Sequence, residues 1–379
     1  GFEAPPSTPG RGGGREKRMV THQTLEELTG NPIYISCPEP LLPMYDRIVS
    51  ANATAGGNDD GSATATLPPP RKIPRTIHAS MRSRCLSPDT HAALESWKSA
   101  LPYHSFYLHD DDAVDRLFNT QFEDFPALNY WMRCVRFKGA MRIDVWRILI
   151  IYLYGGIYTD VDMFPTDNFN EFGPIQVDDE AFFLSDGWNR PSQWFFGMEP
   201  NHPVAYYTLH EIFDRLSKLE FIERPNVVFV TGPDAVKFGY GRATLGWTIR
   251  DSPDVFAPGI HQCRWGKTVT KLYSGKYINQ LDMEEMVMWN NTSTEKMTRK
   301  AKINKHHGMM HWMDEKNSKK VEFDGSCIDY LYSLKHGLTS EHVGTYSEEV
   351  YQQLKQKAHE REMGGGTTKP SKGVPKSSA

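Results

Sequence analysis

Cysteine is scarce in this chain, with five in 379 residues (Cys37, Cys85, Cys134, Cys263, Cys327), widely spaced and without a close pair. Such spacing argues against a zinc cage or a small disulfide scaffold and leaves room for one or two long-range bridges. Long apolar runs are also lacking. The longest, Ile148 to Tyr158, is broken by Gly155 and Gly156 and falls short of the roughly 18 to 20 residues a spanning helix needs. Neither sign of charge dominates: 43 Lys and Arg stand against 47 Asp and Glu, a formal net charge of -4. No basic segment is long enough to track a polyanion, which argues against nucleic acid as a partner. A leader of charged and then apolar residues is absent, and the first residue is Gly. The expectation is a trimmed chain, with any signal peptide or membrane anchor upstream of it.

Hydrophobic residues make up 39% and aromatics 12%, enough for a sizeable core. Sequons at Asn52, Asn290 and Asn291 would accept glycans in a secretory lumen. The first twenty residues, the stretch Ala51 to Pro70 and the last residues from Gly364 are rich in Gly, Pro, Ser and Thr, with too little apolar surface to offset the entropy of ordering. The expected organisation is a flexible, stem-like segment over 1–70, a catalytic domain over 71–337, and a helix (Ser347 to Arg361) with a disordered tail over 338–379.

Short apolar runs alternate with helical patterns through the core, which predicts an α/β domain. The expected strands are Ile73 to Ala79, Ser105 to His109, Gly156 to Val161, Ala181 to Ser185, Trp194 to Met198 and Val227 to Thr231. The expected helices are Asp110 to Phe118, Gly139 to Tyr154, His202 to Leu219 and Asp234 to Phe238. The second of these is apolar almost all round, the pattern of a helix buried on several sides. Its charged residues therefore need partners. Asp144 and Arg147 lie three apart on one face, as a structural ion pair or as a grip on a polar ligand.

Gly155 and Gly156 are expected to end that helix, and the strand GIYTDVDMF follows. If the strand stays regular, Asp160 and Asp162 share one face. Two adjacent carboxylates repel unless a cation neutralises them, and a hard divalent ion, Mn²⁺ or Mg²⁺, suits oxygen ligands with positions left for water and phosphate.

The continuous string RIDVWRILIIYLYGGIYTDVD resembles glycosyltransferase family 32, the sugar-binding region with a DXD motif. The residues that carry it are Ile143-Asp144, Arg147, Tyr154-Gly155-Gly156-Ile157-Tyr158 and Asp160-Val161-Asp162. Further echoes are IPRTIHASM, Tyr107 to Asp111, Gly197 to Pro203, Thr231-Gly232-Pro233, and His306-His307 with Trp312. The opening strand departs from the family at Ala79, where Gln is usual, and at Met81, where Trp is usual.

The resemblance implies a GT-A type, Rossmann-like nucleotide-sugar-binding fold with a mixed central sheet. It also implies a metal-dependent retaining glycosyltransferase that moves a hexose, mannose first, from GDP-mannose or a UDP-hexose to a glycan, glycolipid or protein acceptor. In that reading Asp160 and Asp162 hold the metal, and Asp144 and Arg147 bind the sugar or diphosphate. Ile77, His78 and Tyr158 lie at the donor, and a late histidine, His306, His307 or His311, completes the metal site. Asp186, Trp188, Asn189 and His202 are candidates for acceptor or sugar contacts. The family further implies a type II Golgi enzyme with its anchor removed, a cytoplasmic or secreted protein being the alternative. Two rival classes share parts of this pattern: a metal-dependent phosphohydrolase, and a sugar-nucleotide or glycan-binding protein without turnover.

Overall fold

The computed structural model describes residues 23–49, 68–120, 139–171, 173–185, 190–217, 227–244, 259–273 and 278–280, together with Phe122, Asp124, Phe125, Leu128 and Met132. In chain order its helices are α1 (Leu25–Thr29), α2 (Pro88–Ala100), α3 (Asp111–Phe118), α4 (Gly139–Tyr154), α5 (Pro203–Ser217), α6 (Val227–Val230) and α7 (Pro233–Ala243). The strands are β1 (Leu42–Pro43), β2 (Thr76–Ser80), β3 (Cys85–Leu86), β4 (Ser105–His109), β5 (Gly156–Thr159), β6 (Met163–Pro165), β7 (Ala181–Ser185), β8 (Pro191–Met198), β9 (Gly259–Gln262), β10 (Thr268–Tyr273) and β11 (Ile278–Gln280). Seven strands form one sheet in the order β4-β2-β5-β8-β7-β10-β9. Strands β4, β2 and β5 run parallel, β8 runs antiparallel to both its neighbours, and β10 is parallel to β7. The α/β architecture with a mixed central sheet is therefore the one observed.

Side-chain alternation splits the core between the two faces of this sheet. Ile157, Phe182 and Phe195 pack with Trp97 of α2 on one face, whereas Tyr158, Phe183 and Phe196 pack with α4, α5 and α7 on the other. Helix α4 is buried along most of its length, as its all-round apolar sequence dictates. Local signals set the helix starts. Asp110 accepts a hydrogen bond from the Ala113 N–H to cap α3, and Ser87 with Pro88 at the first turn opens α2. Helix α4 ends at Gly155, which has φ 66°, and Gly156 follows with φ 100°. A Cβ on Gly156 would stand 2.6 Å from the Thr76 carbonyl, so both the turn and the close approach of β5 to β2 require glycine. Among the described residues no helix is long and apolar enough to cross a membrane.

Three expectations about the elements are corrected. Val227 to Thr231 is not a strand: Val227–Val230 is a single helical turn, closed by the Thr231 and Gly232 N–H groups on the Val227 carbonyl. Its β-branched composition favours a strand, but a turn that lets Phe229 face solvent and buries Val227 and Val230 prevails. Strand β5 stops at Thr159, so Asp160 and Asp162 lie in a turn rather than on one face of a regular strand; the Met163 N–H closes that turn on the Asp160 carbonyl at 3.2 Å.

The third correction concerns the stem. Residues 23–49 fold onto the domain: Leu28 is fully buried, Cys37 is bonded to Cys85, and the Arg84 guanidinium pairs with Asp46 and donates to the Thr29 and Leu108 carbonyls. Proline and polar residues interrupt this segment's apolar ones, and its order comes from those long-range partners together with the burial of Leu28 and Met44. The helix expected over 347–361 lies outside the described residues.

Candidate active site

Strands β2, β4 and β5 run side by side and end together, the place where open α/β sheets present their ligand crevice. Tyr158 and Asp160 come from the end of β5, Asp144 and Arg147 from one face of α4, Gln193 from β8, and Thr231 from the turn between α6 and α7. Arg147 is the hub. One of its terminal nitrogens, Nη1, donates to the Gln193 carbonyl at 2.8 Å and lies 3.3 Å from Asp160 Oδ1, while Nη2 lies 3.5 Å from Asp144 Oδ1. Its guanidinium also stacks 4.7 Å from the centre of the Tyr158 ring. The Tyr158 hydroxyl donates to Asp160 Oδ1 at 2.6 Å, and the Asp160 N–H donates to the Trp194 carbonyl, which ties the acidic turn to β8.

Burial works against charge on both members of the α4 pair, with different outcomes. Asp144, only 6% exposed, is pushed up to about 6 by burial, against the opposing pull of Arg147 and the Thr231 hydroxyl. Arg147 also loses hydration, yet Asp160, Tyr158, Asp144 and Asp162 more than offset that loss and raise its pKa above the usual value. The Tyr158 phenol is held well above its ordinary range by burial and by the adjacent Asp160 carboxylate, so it stays protonated and donates.

Asp160 retains about 30% side-chain exposure. Its Oδ1 is occupied by Tyr158 and Arg147, and its Oδ2 has no partner among the described residues. With Asp162 two positions on in the same turn, the chain presents hard oxygen donors at the edge of a buried cation, which fits a divalent ion that keeps open positions. Among the described residues there is no group of three His, Cys, Asp or Glu placed to hold a metal. The two carboxylates therefore form a partial set, to be completed by water, phosphate or a ligand from outside those residues.

Asp144, Arg147, Tyr158 and Asp160 are brought into one cluster, with Asp162 in the same turn. Ile77 and His78 are not part of it. Both are fully buried in β2, whose main chain pairs with β4 on one side and β5 on the other. The His78 ring lies between His109, at 3.2 Å, and the Gly155 carbonyl, at 3.1 Å. There the ring braces the turn that launches β5.

His202 is likewise fully buried, Nε2 donating to the Thr268 carbonyl and Nδ1 accepting the Val204 N–H, which fixes the start of α5. Asp186, Trp188, Asn189, His306, His307 and His311 lie outside the described residues. Gln193 and Thr231 join the cluster although sequence reasoning gave neither a role. The Thr231 hydroxyl donates to Asp144 Oδ2 at 2.8 Å, and the Gln193 side-chain amide donates to the Thr231 carbonyl at 2.9 Å and the Asp144 carbonyl at 3.4 Å. The Thr-Gly-Pro string was the one available signal, and nothing around Gln193 marks it.

Residues 81–178 match the family model described as a glycosyltransferase sugar-binding region containing a DXD motif. Two curated relatives are similar to parts of the chain. Inositol phosphoceramide mannosyltransferase 1 of Schizosaccharomyces pombe is 24% identical over 184 residues, 46% of this chain and 53% of that protein. An uncharacterized glycosyltransferase of Acanthamoeba polyphaga mimivirus is 26% identical over 124 residues, 33% of this chain and 47% of that protein. The chain thus spans about half the length of the curated relatives it matches. A solved structure, PaToxG Glycosyltransferase, superposes with a TM-score of 0.35 at 16% identity over 45% of this chain and 69% of that one, a likeness too loose to add to the sequence match. Over the matched segment, which contains Asp144, Arg147 and the Asp160–Asp162 turn, this chain is therefore similar to the glycosyltransferase sugar-binding region with a DXD motif.

Proposed function

We propose that the protein is a metal-dependent retaining glycosyltransferase, taking a hexose from a nucleotide sugar to the hydroxyl of a glycan, glycolipid or protein acceptor. The observation that carries this reading is the packing of Arg147 against Asp144, Asp160 and Tyr158 at the end of β5, with the Asp160–Asp162 turn beside it. Asp160 and Asp162 would hold Mn²⁺ or Mg²⁺, which when bound supplies charge neutralisation to the donor's diphosphate. Arg147 offers planar N–H donors to the diphosphate or sugar, and Asp144 accepts hydrogen bonds from sugar hydroxyls. Tyr158 keeps its proton and holds Asp160 in place.

In the transfer, the bond from the sugar's anomeric carbon to the diphosphate oxygen breaks and a bond from that carbon to the acceptor oxygen forms. The acceptor's proton passes to the departing diphosphate. Attack from the face the diphosphate leaves gives retention without a covalent carboxylate.

Mannose is our first donor sugar because the fungal relative is named for mannosyl transfer, with a UDP-hexose as the alternative; the same name favours an inositol phosphoceramide among acceptors. The Cys37–Cys85 bridge, together with the sequons, supports an oxidising lumen such as the Golgi.

The test is release of nucleoside diphosphate from GDP-mannose, UDP-glucose and UDP-galactose with Mn²⁺ and with chelator. We expect turnover of one donor class that chelator abolishes and that Asp162→Asn lowers at least a hundredfold while the melting curve is unchanged. Equal turnover by wild type and Asp162→Asn would remove the metal assignment.

A further inference from the structure

Asp144 and Arg147 do not hold each other in place. Their nearest approach, 3.5 Å, is too long for a firm hydrogen bond, and both sit on α4 with side chains that could turn elsewhere. What fixes them comes from other parts of the chain. Thr231, fully buried, places its hydroxyl on Asp144 Oδ2. Gln193, 2% exposed, gives its main-chain carbonyl to Arg147 and its side-chain amide to the carbonyls of Asp144 and Thr231. Three segments remote in sequence, α4, β8 and the α6–α7 turn, are thereby locked around one carboxylate and one guanidinium.

The turn itself has little freedom. Gly232 approaches Val228 so closely that a Cβ would stand 2.7 Å from the Val228 Cα, and Pro233 then opens α7.

We propose that Thr231 and Gln193 are positioning residues for glycosyl transfer: they orient the Asp144 carboxylate and the Arg147 guanidinium toward the donor sugar without touching it. The inference rests on the donor-binding reading above. Loss of the Thr231 hydroxyl leaves Asp144 Oδ2 without a donor in a buried place, free to swing toward Arg147 and close the gap that a sugar hydroxyl should fill. A misplaced group of this kind costs the reacting complex more than it costs binding, because alignment at the reacting carbon is what is lost.

The test compares Thr231→Val, which keeps shape and removes the hydroxyl, with Thr231→Ser, which keeps the hydroxyl. Gln193→Met removes the side-chain amide and leaves the main-chain carbonyl on Arg147, so it tests the same clamp if Thr231→Val fails to fold. Donor turnover is measured with GDP-mannose and UDP-glucose, alongside melting temperature. We expect Thr231→Val and Gln193→Met to lower kcat at least tenfold with donor KM changed less than threefold, and Thr231→Ser to stay within threefold of wild type.

Turnover of Thr231→Val or Gln193→Met within twofold of wild type overturns the inference alone. So does an equal loss in the Ser and Val variants that follows their loss of melting temperature, since that is the pattern of a purely structural role. A wild type that turns over neither donor removes the donor-binding reading and this inference together.

Discussion

Arg147 stays charged in a buried position because acidic and phenolic groups surround it, and its planar fork lets it meet the Gln193 carbonyl, Asp160 and Asp144 at once. A lysine carries the same charge on a single nitrogen and cannot span those partners. Arg147→Lys should therefore lower donor turnover tenfold or more while the melting temperature falls by only a few degrees. Near-normal turnover in that variant would make the Asp144–Arg147 pair structural. At this scale the sequence was informative where residues lie close together in the chain: the i, i+3 spacing put Asp144 and Arg147 on one face, and the Asp-x-Asp triplet named Asp160 and Asp162. It was uninformative for Thr231 and Gln193, whose contacts to α4 span 87 and 49 residues of sequence. It does not reveal that His78 and His202 are fully buried, because a histidine in the core looks the same in a string of letters as one at the surface.

Elements whose borders carry strong local chemistry were legible. Helix α4 and strands β4 and β7 begin and end where the apolar pattern and the Gly155–Gly156 turn put them. Helix α6 was not legible, because four β-branched and aromatic residues favour a strand and only the packing of its turn against α4 and α7 decides otherwise. Helix α7 runs on past its expected end at Phe238 to Ala243, carried by Gly239, which lets it lie directly on α5. A Cβ at Gly239 would stand 2.3 Å from Thr208 Oγ1 and 2.4 Å from the Thr208 Cα. Gly239→Ala must push the two helices apart and should destabilise the fold by about 1 to 3 kcal/mol despite the better helix propensity of alanine. The control is Gly139→Ala, where a Cβ meets nothing within 4 Å, and its unfolding midpoint should not fall. Equal midpoints for the two variants would contradict the tight α5–α7 contact.

Across the whole molecule, buried histidines make the fold sensitive to acid. Burial lowers His78, His104 and His202 to about 4 each, and holds His109 well below the ordinary histidine value. Between about pH 6.5 and 4 the unfolded chain binds protons at these sites that the folded chain does not, so stability is full above that window and is lost as the pH falls through it. His78, His104 and His202 alone give a slope of up to roughly 4 kcal/mol per pH unit. Glu171 and Glu180 act in the same direction lower down. Burial alone would raise them, but hydrogen bonds and ion pairs from His104 and Arg75, and from Lys72, Thr268 and Lys267, hold both at about 2. Their stabilisation is present above the ordinary carboxylate range and lost toward pH 2. Asp144 opposes this trend, since its raised pKa favours the fold below the usual Asp value and that benefit is lost as the pH rises through about 6. Urea unfolding at pH 7, 6, 5 and 4 should show a steady fall in midpoint; a flat profile would mean that the histidines are accessible to protons in the native state. The α/β class could be read from the alternation of apolar runs and helical patterns, and the mixed sheet came only from the family resemblance; the folding of residues 23–49 onto the domain was not legible, since Cys37–Cys85 and Arg84–Asp46 join residues 48 and 38 apart. The measurement that bears most directly on the central claim is the melting temperature with GDP-mannose, UDP-glucose, UDP-galactose and their nucleotides, each with Mn²⁺ and with chelator. A ligand at a hundred times its dissociation constant stabilises by about 2.7 kcal/mol, which is readily seen as a shift. The account predicts a Mn²⁺-dependent rise with one nucleotide class that Asp160→Asn abolishes, and a cooperative melt that no donor shifts, with or without metal, would contradict it.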